Sequence, residues 1–309
     1  MSTFDHGSIV ALAGGVGGAR LVDGLDQALP PGALSAVVNT GDDFMHWGLH
    51  ISPDLDTIMY TLAGLSPVDR GWGIDGDTFA VLEEARRRGI EGWFQLGDRD
   101  LLTHLTRTAA LQRGETLTEA TDSLRRGLGV ERPILPMSDE PKPTTIVTDE
   151  GRTLPFQEWL VKERTGPAVR AVLSGGSSLP GRQALEAIEA AKLLIICPSN
   201  PYVSVDPILG LEGVRDAVRR TPTLAVSPIL NGNAVKGPLA SMIPQLEGRP
   251  ASAEAIAAHY GDLLDAFVVH TGDAFDAEFP VLETNILIQS RKDRLGFARE
   301  LLQFAESVR

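Results

Sequence analysis

Ile9-Val10-Ala11-Leu12-Ala13-Gly14-Gly15-Val16-Gly17-Gly18-Ala19-Arg20 is an apolar run that breaks into a glycine-rich turn. Five apolar residues in succession suit a strand covered on both faces. The glycines predict a tight turn into a helix over 17–28. With 8–13 as the first, similar apolar runs recur at 34–38, 193–197, 223–229 and 266–270, each followed by Gly, Pro, Ser or Asn. Helical patterns occupy 54–63, 77–88, 100–113, 117–127, 181–191, 207–220, 252–265 and 291–307. Strands alternating with helices make βαβ units, so the expected fold is α/β with a doubly wound, mostly parallel, Rossmann-like sheet. The middle of the chain reads differently. Ile134-Leu-Pro-Met137, Thr144-Thr-Ile-Val-Thr148 and Phe156-Gln-Glu-Trp-Leu-Val161 are strand-like within a proline-rich stretch from Pro133 to about Arg170. Together with the helices before them they predict an inserted helical and β-hairpin region at about 65–170, inside a single α/β domain spanning 1–309.

Composition bounds the function. A chain of 309 residues, 43% hydrophobic and 22% charged, is long enough to bury a large core. Its net charge of −13 argues against a nucleic-acid backbone as partner. Cys197 is the single cysteine, which excludes an intrachain disulfide framework and a cysteine-built zinc site. Met1–His6 lacks the basic start of a secretory signal, and no apolar run approaches the roughly 20 residues of a membrane helix. The expected location is the cytoplasm.

The turn Gly14-Gly15-Val-Gly17-Gly18-Ala-Arg20 matches neither standard phosphate motif in detail. A dinucleotide fingerprint starting at Gly15 and Gly17 needs a third glycine where Arg20 stands, and a Walker loop needs Lys-Ser/Thr after its last glycine. What remains is close backbone approach and a helix N-terminus aimed at an anion. Beyond the second apolar run lies Asn39-Thr-Gly-Asp42-Asp43, and then Ser52-Pro53-Asp54-Leu-Asp56-Thr57. Carboxylates at a strand end and at a nearby helix start can converge on one hard cation such as Mg²⁺. Asp54, beside a proline at a helix start, also suits a cap, whereas Asp56 is harder to explain that way.

Gly97-Asp98-Arg99-Asp100 offers an arginine held between acids, suited either to an ordinary ion-pair network or to a bidentate grip on phosphate. The loops Cys197-Pro-Ser199-Asn200-Pro and Ser227-Pro-Ile-Leu-Asn231-Gly-Asn233-Ala-Val-Lys236 add hydroxyls, amides and a lysine. In open α/β sheets ligands sit outside the carboxyl ends of the strands, where these loops are expected.

Taken in order, Gly-Gly-Val-Gly-Gly-Ala-Arg, Val-Asn-Thr-Gly-Asp-Asp, Ser-Pro-Asp-Leu-Asp-Thr, Arg70-Gly-Trp-Gly73, Gly-Asp-Arg-Asp with Thr103-His104, Leu-Pro-Met-Ser-Asp, Pro-Ser-Asn-Pro and Ser-Pro-Ile resemble the 2-phospho-L-lactate transferase family, CofD, over most of the chain. The resemblance implies a Mg²⁺-dependent step in coenzyme F-420 biosynthesis. A phospho-lactyl, phosphoenolpyruvyl or phosphoglyceryl group would pass from a guanosine diphosphate-linked donor to the ribityl hydroxyl of the deazaflavin Fo, releasing GMP. On this reading Gly14, Gly15, Gly17, Gly18 and Arg20 cradle the diphosphate, and Asp42, with Asp43 or a nearby carboxylate, holds Mg²⁺. Asp56 and Arg99 contact the acceptor, Asp54 or Asp56 orients or deprotonates its hydroxyl, and Ser199, Asn200, Asn231 and Asn233 read guanine. Met45, Trp47 and Trp72 are candidates to flank the flat deazaflavin, and a homodimer is expected from the family. The alternatives are a nucleotide-sugar-binding regulatory protein of related fold and a nicotinamide-dependent oxidoreductase, the latter disfavoured by Arg20.

Overall fold

The computed structural model describes residues 9–308; the expectations placed on Met1–His6 and on the first residue of 8–13 lie outside them. In chain order the elements begin β1 (Ile9–Ala13), α1 (Gly15–Ala28), β2 (Leu34–Val38), β3 (Phe44–His46), β4 (Leu49–Ile51) and α2 (Pro53–Leu62). There follow α3 (Ala80–Arg87), α4 (Asp100–Gln112), α5 (Leu117–Gly127), β5 (Ile134–Pro136), β6 (Thr144–Thr148), β7 (Thr153–Pro155) and β8 (Val169–Ser174). The remainder comprises α6 (Arg182–Ala190), β9 (Leu193–Ile196), α7 (Asp206–Leu209), α8 (Val214–Arg219), β10 (Thr223–Val226), β11 (Ile229–Leu230) and β12 (Asn233–Ala234). The last are α9 (Leu239–Glu247), α10 (Ala253–Tyr260), β13 (Ala266–His270), β14 (Val281–Thr284) and α11 (Arg291–Ser307).

Seven strands make the central sheet in the order β14-β13-β10-β9-β1-β2-β5, every neighbouring pair parallel. Alternate residues along β1 serve different cores. Val10 and Leu12 pack with Val37, Leu194, Ile196 and Phe267 on one face, while Ile9, Ala11 and Ala13 pack with Leu34, Ile195 and Val268 on the other. This is the period-two geometry of a strand, with both faces apolar because both are covered. Helices α1, α2 and α11 bury Leu21, Leu25, Ile58, Phe297 and Leu301 on the second face; α6, α8, α9 and α10 bury Ile188, Val218, Met242 and Ile256 on the first.

The expected insertion at 65–170 is corrected in one respect. Ile134–Pro136 pairs with β2 as a strand of the main sheet, so the helices before it are a long β2-to-β5 crossover. Only the stretch beyond it is separate, as an antiparallel sheet ordered β7-β6-β8. Phe156–Val161, expected as a strand, instead leads into a π-helical turn at Glu158–Lys162. Trp159 anchors that turn, buried and donating its indole N–H to Pro167 O at 2.8 Å. α9 and β14 had no counterpart among the expected elements.

Helix starts in the crossover exchange their caps. Asp77, expected to open the helix at 77–88, accepts the N–H groups of Arg99 and Asp100 and so caps α4. Asp98 accepts those of Ala80 and Val81 and caps α3.

Candidate functional site

Chain direction across the sheet reverses between β1 and β9, whose following loops leave for opposite faces: Gly14–Gly18 into α1, and Cys197–Asn200 into a second π-helical turn at Pro201–Val205. A cleft of about 420 Å³ opens there. Ser199 ties its two edges together, its hydroxyl donating to Gly14 O at 2.8 Å and accepting from Gly14 N at 3.0 Å. Two of the glycines, Gly17 and Gly15, have different reasons. A Cβ on Gly17 would stand 2.2 Å from Pro198 O, so this glycine lets α1 lie against the neighbouring loop. Gly15 has φ +63° and faces open space, the conformation and clearance of a backbone that a ligand can approach. No acid sits in the first turn of α1 itself, and its first amide, Gly15 N–H, is taken by a carboxylate from a neighbouring helix.

Opposite this helix start stand two buried carboxylates. Asp54, at the start of α2, accepts Gly15 N–H on Oδ1 at 2.8 Å and Asn39 Nδ2–H on Oδ2 at 2.9 Å. Asp42 accepts from the same Asn39 Nδ2 at 3.1 Å and from Gln157 Nε2 at 3.1 Å. Asn39 is locked by the Asx turn it makes to Gly41 N at 2.8 Å. Burial pushes the Asp54 carboxyl up to about 6, against the opposing hydrogen bonds from Asn39 and Gly15. Burial, and then the neighbouring charge of Asp54, raise Asp42 well above the usual carboxylate range. Two acids sharing one amide donor, with no cationic side chain bonded to either, form a site short of positive charge.

Asp43 points elsewhere: its Oδ2 meets His50 Nε2 at 3.0 Å and Ser52 Oγ at 2.7 Å. The expected Asp42–Asp43 pairing at the cleft is therefore corrected to Asp42 with Asp54, the nearby carboxylate. Asp56 also leaves the cleft. One helical residue pair past Asp54, it turns into the protein, where Arg107 engages both its oxygens and His104 Nδ1 lies 3.6 Å away. Arg99 is exposed and bonds Asp75 O at 3.2 Å; the acids beside it serve as the α3 cap and as acceptor for Tyr60 Oη. With Asp77 over the α4 start, that helix end has no room for an anion.

Among the amide-bearing loops, Ser199 and Asn200 line the cleft, although Asn200 Oδ1 is spent on capping Tyr202 N at 3.0 Å. Asn231 and Asn233 do not. Asn231-Gly232, with φ +49° and +78°, forms the tip of the β11–β12 hairpin, the geometry for which Asn-Gly is the preferred pair. The same loop instead brings Lys236 to the wall, its Nζ on Asp69 O at 3.2 Å. Arg20 is buried and reaches the same stretch as Lys236, donating to Val68 O at 2.9 Å while its Nε finds no partner. Trp72, with the Arg70 guanidinium 4.5 Å above its ring, completes that rim. Met45 and Trp47 lie on a separate aromatic cleft with Phe44, His46 and Trp93.

Among the described residues no three His, Cys, Asp or Glu side chains are arranged to hold a metal by protein groups alone. Mg²⁺ sites commonly use one or two carboxylates with oxygens from substrate phosphates and water, and the Asp42–Asp54 pair fits that pattern. Asn39 and Gln157, which orient this pair, were not among the expected site residues. Asn39 sits in the quoted Val-Asn-Thr-Gly-Asp-Asp motif, where an Asx turn was readable; Gln157 has no local signal.

Residues 9–296 match the family described as 2-phospho-L-lactate transferase CofD. The chain belongs to that family. Among its relatives is the "Phosphoenolpyruvate transferase" of Streptomyces griseus, 38% identical over 97% of this chain and 99% of that protein. The protein of the same name from Thermobifida fusca is 42% identical over 86% and 87%. The "2-phospho-L-lactate transferase" of Methanosarcina mazei is 39% identical over 87% and 88%. A crystal structure of protein BH3568 from Bacillus halodurans, a upf0052 family member, superposes with a TM-score of 0.63 at 17% identity, covering 97% of this chain and all of that one. That likeness shows a shared fold. The CofD family supplies the activity class: this chain is a transferase.

Proposed function

We propose that the protein transfers a phospho-lactyl, phosphoenolpyruvyl or phosphoglyceryl group from a guanosine diphosphate-linked donor to the ribityl hydroxyl of Fo, releasing GMP, as a step in coenzyme F-420 biosynthesis. The observation that carries this reading is that the glycine-rich α1 N-terminus and the Asp42–Asp54 pair line one cleft. A diphosphate is the ligand that satisfies both sides, its oxygens toward the helix amides and a Mg²⁺ ion toward the acids. When bound, that ion supplies neutralisation of phosphate charge, so that an alcohol can approach phosphorus.

The chain's own groups do the rest. The α1 amides beyond Gly15, whose own N–H is given to Asp54, hold the diphosphate, and Arg20 and Lys236 are the cations lining the same cleft. Asp42 and Asp54 would hold the ion, oriented by Asn39 and Gln157. Trp72 and the apolar wall of Phe156, Leu160 and Leu239 exclude water from the reacting phosphorus. Alignment and electrostatic stabilisation dominate such transfers, which matches a site built of fixed charges and backbone amides.

The test is mass spectrometry of the product formed from Fo and each of the three guanylyl donors, with Mg²⁺. Accumulation of one zero-glutamate coenzyme, carrying its three-carbon acid through a phosphodiester, together with GMP is expected. Asp42→Asn should lower turnover by at least a hundredfold while the protein stays folded; turnover at the wild-type rate would remove Asp42 from the site.

A further inference from the structure

Gln157 is buried, 6% exposed, and comes from a segment remote in sequence from Asn39, Asp42 and Asp54. It lines the diphosphate cleft and also the aromatic cleft of Phe44, His46 and Trp93, so its carboxamide stands in the wall between them. Its backbone is fixed by the π-helical turn that follows and by the buried Trp159, whose ring lies 6.1 Å from that of Phe156. A π-turn is a rare element that recurs where a side chain must be aimed. Here the aim is at Asp42: Nε2 lies 3.1 Å from Oδ2, while Asn39 holds Oδ1. Each oxygen of Asp42 thus accepts one N–H and keeps one lone pair, and the carboxylate plane is set by two donors from unrelated parts of the chain.

We propose that Gln157 is a positioning residue for the cation, acting through Asp42: its amide fixes the rotation of the carboxylate so that the free lone pairs of Asp42 and Asp54 meet at one point. The inference rests on the reading of these two acids as cation ligands. Loss of an outer hydrogen bond of this kind ordinarily weakens metal binding about 10- to 100-fold.

The experiment is titration of the full-length protein with Mn²⁺, which shares the octahedral oxygen preference of Mg²⁺, in the presence of saturating GDP, followed by electron paramagnetic resonance. Gln157→Met keeps the side-chain length and removes the N–H. It is expected to weaken Mn²⁺ binding at least tenfold, with GDP binding in the absence of metal unchanged. Because Gln157 acts through Asp42, Gln157→Met added to Asp42→Asn is expected to cause no further loss. Should Gln157→Met fail to fold, Gln157→Asn, which withdraws the amide by one methylene, carries the same expectation. Wild-type Mn²⁺ affinity in a folded variant, or losses that add in the double variant, would overturn the proposal. A wild-type protein that transfers the group and binds Mn²⁺, beside a variant that does both equally well, sinks this inference alone. A wild-type protein that binds no Mn²⁺ sinks it together with the cation reading.

Discussion

At the scale of single residues, Asp54 joins three roles that its sequence context kept apart. It begins a helix beside Pro53, accepts the first amide of α1, and shares Asn39 with Asp42. Its carboxyl is raised to about 6 in the folded protein, against roughly 4 for an unfolded aspartate. The folded state therefore holds a proton more tightly, and the associated stability is complete below about pH 4 and is lost as pH rises through about 6. At about 1.4 kcal/mol for each pH unit, the loss is at most about 3 kcal/mol. Denaturant unfolding in EDTA should show stability falling between pH 4 and pH 7, and Asp54→Asn should flatten that slope. An identical slope in the variant would mean that Asp54 is not the titrating group. The wide spacing of Asn39, Asp54 and Gln157 explains what sequence could show: acids near strand ends were visible, but the amide that reaches Asp42 from the far side was not.

Elements explain why other acids were misplaced. Asp56 is two residues past Asp54, and on a helix that spacing turns a side chain by about 200°. A pair that looks contiguous in Pro-Asp-Leu-Asp-Thr is thereby divided between the cleft and the interior, where Arg107 is fully buried against Asp56. Removing one partner strands a charge, so Arg107→Met should destabilise the protein by about 3–5 kcal/mol, measured by chemical denaturation. A change below 1 kcal/mol would mean that water reaches Asp56. The β11–β12 hairpin makes the opposite case. Asn231 and Asn233 serve the turn and are exposed, so Asn233→Ala should leave donor KM and kcat within about twofold. The β1, β2, β9, β10 and β13 runs were readable because burial on both faces demands continuous apolar sequence. β5, only Ile134–Pro136, reads as strand-like, but its place in a proline-rich stretch assigned it to the insertion and not to the main sheet.

For the whole molecule, the sheet decides where the site lies and the crossovers decide what it contains. Asp42 follows β2, Asp54 begins the helix beyond the β3–β4 hairpin, Gln157 arrives from the antiparallel sheet, and Lys236 from the loop after β12. Such a site is completed only by the folded chain, and a ligand bridging its parts should stabilise all of them. GDP with Mg²⁺ at a hundredfold excess over Kd should add about 2.7 kcal/mol, seen as a rise of several degrees in Tm. GDP with EDTA should give a clearly smaller rise; equal rises would show that binding needs no cation. Among the described residues no helix is long and apolar enough to cross a membrane.

Under the proposed function, Ser199 bears on how donors would be told apart. Because its one hydroxyl both gives a proton to and takes one from Gly14, prising apart the ends of β1 and β9 would break two bonds at a single seam. The aperture beside Gly14 is thus of fixed width. On that reading, donors that differ only in their three-carbon acid would be sorted farther out, where Trp72 borders the cleft and Lys236 reaches Asp69 O through a single exposed bond.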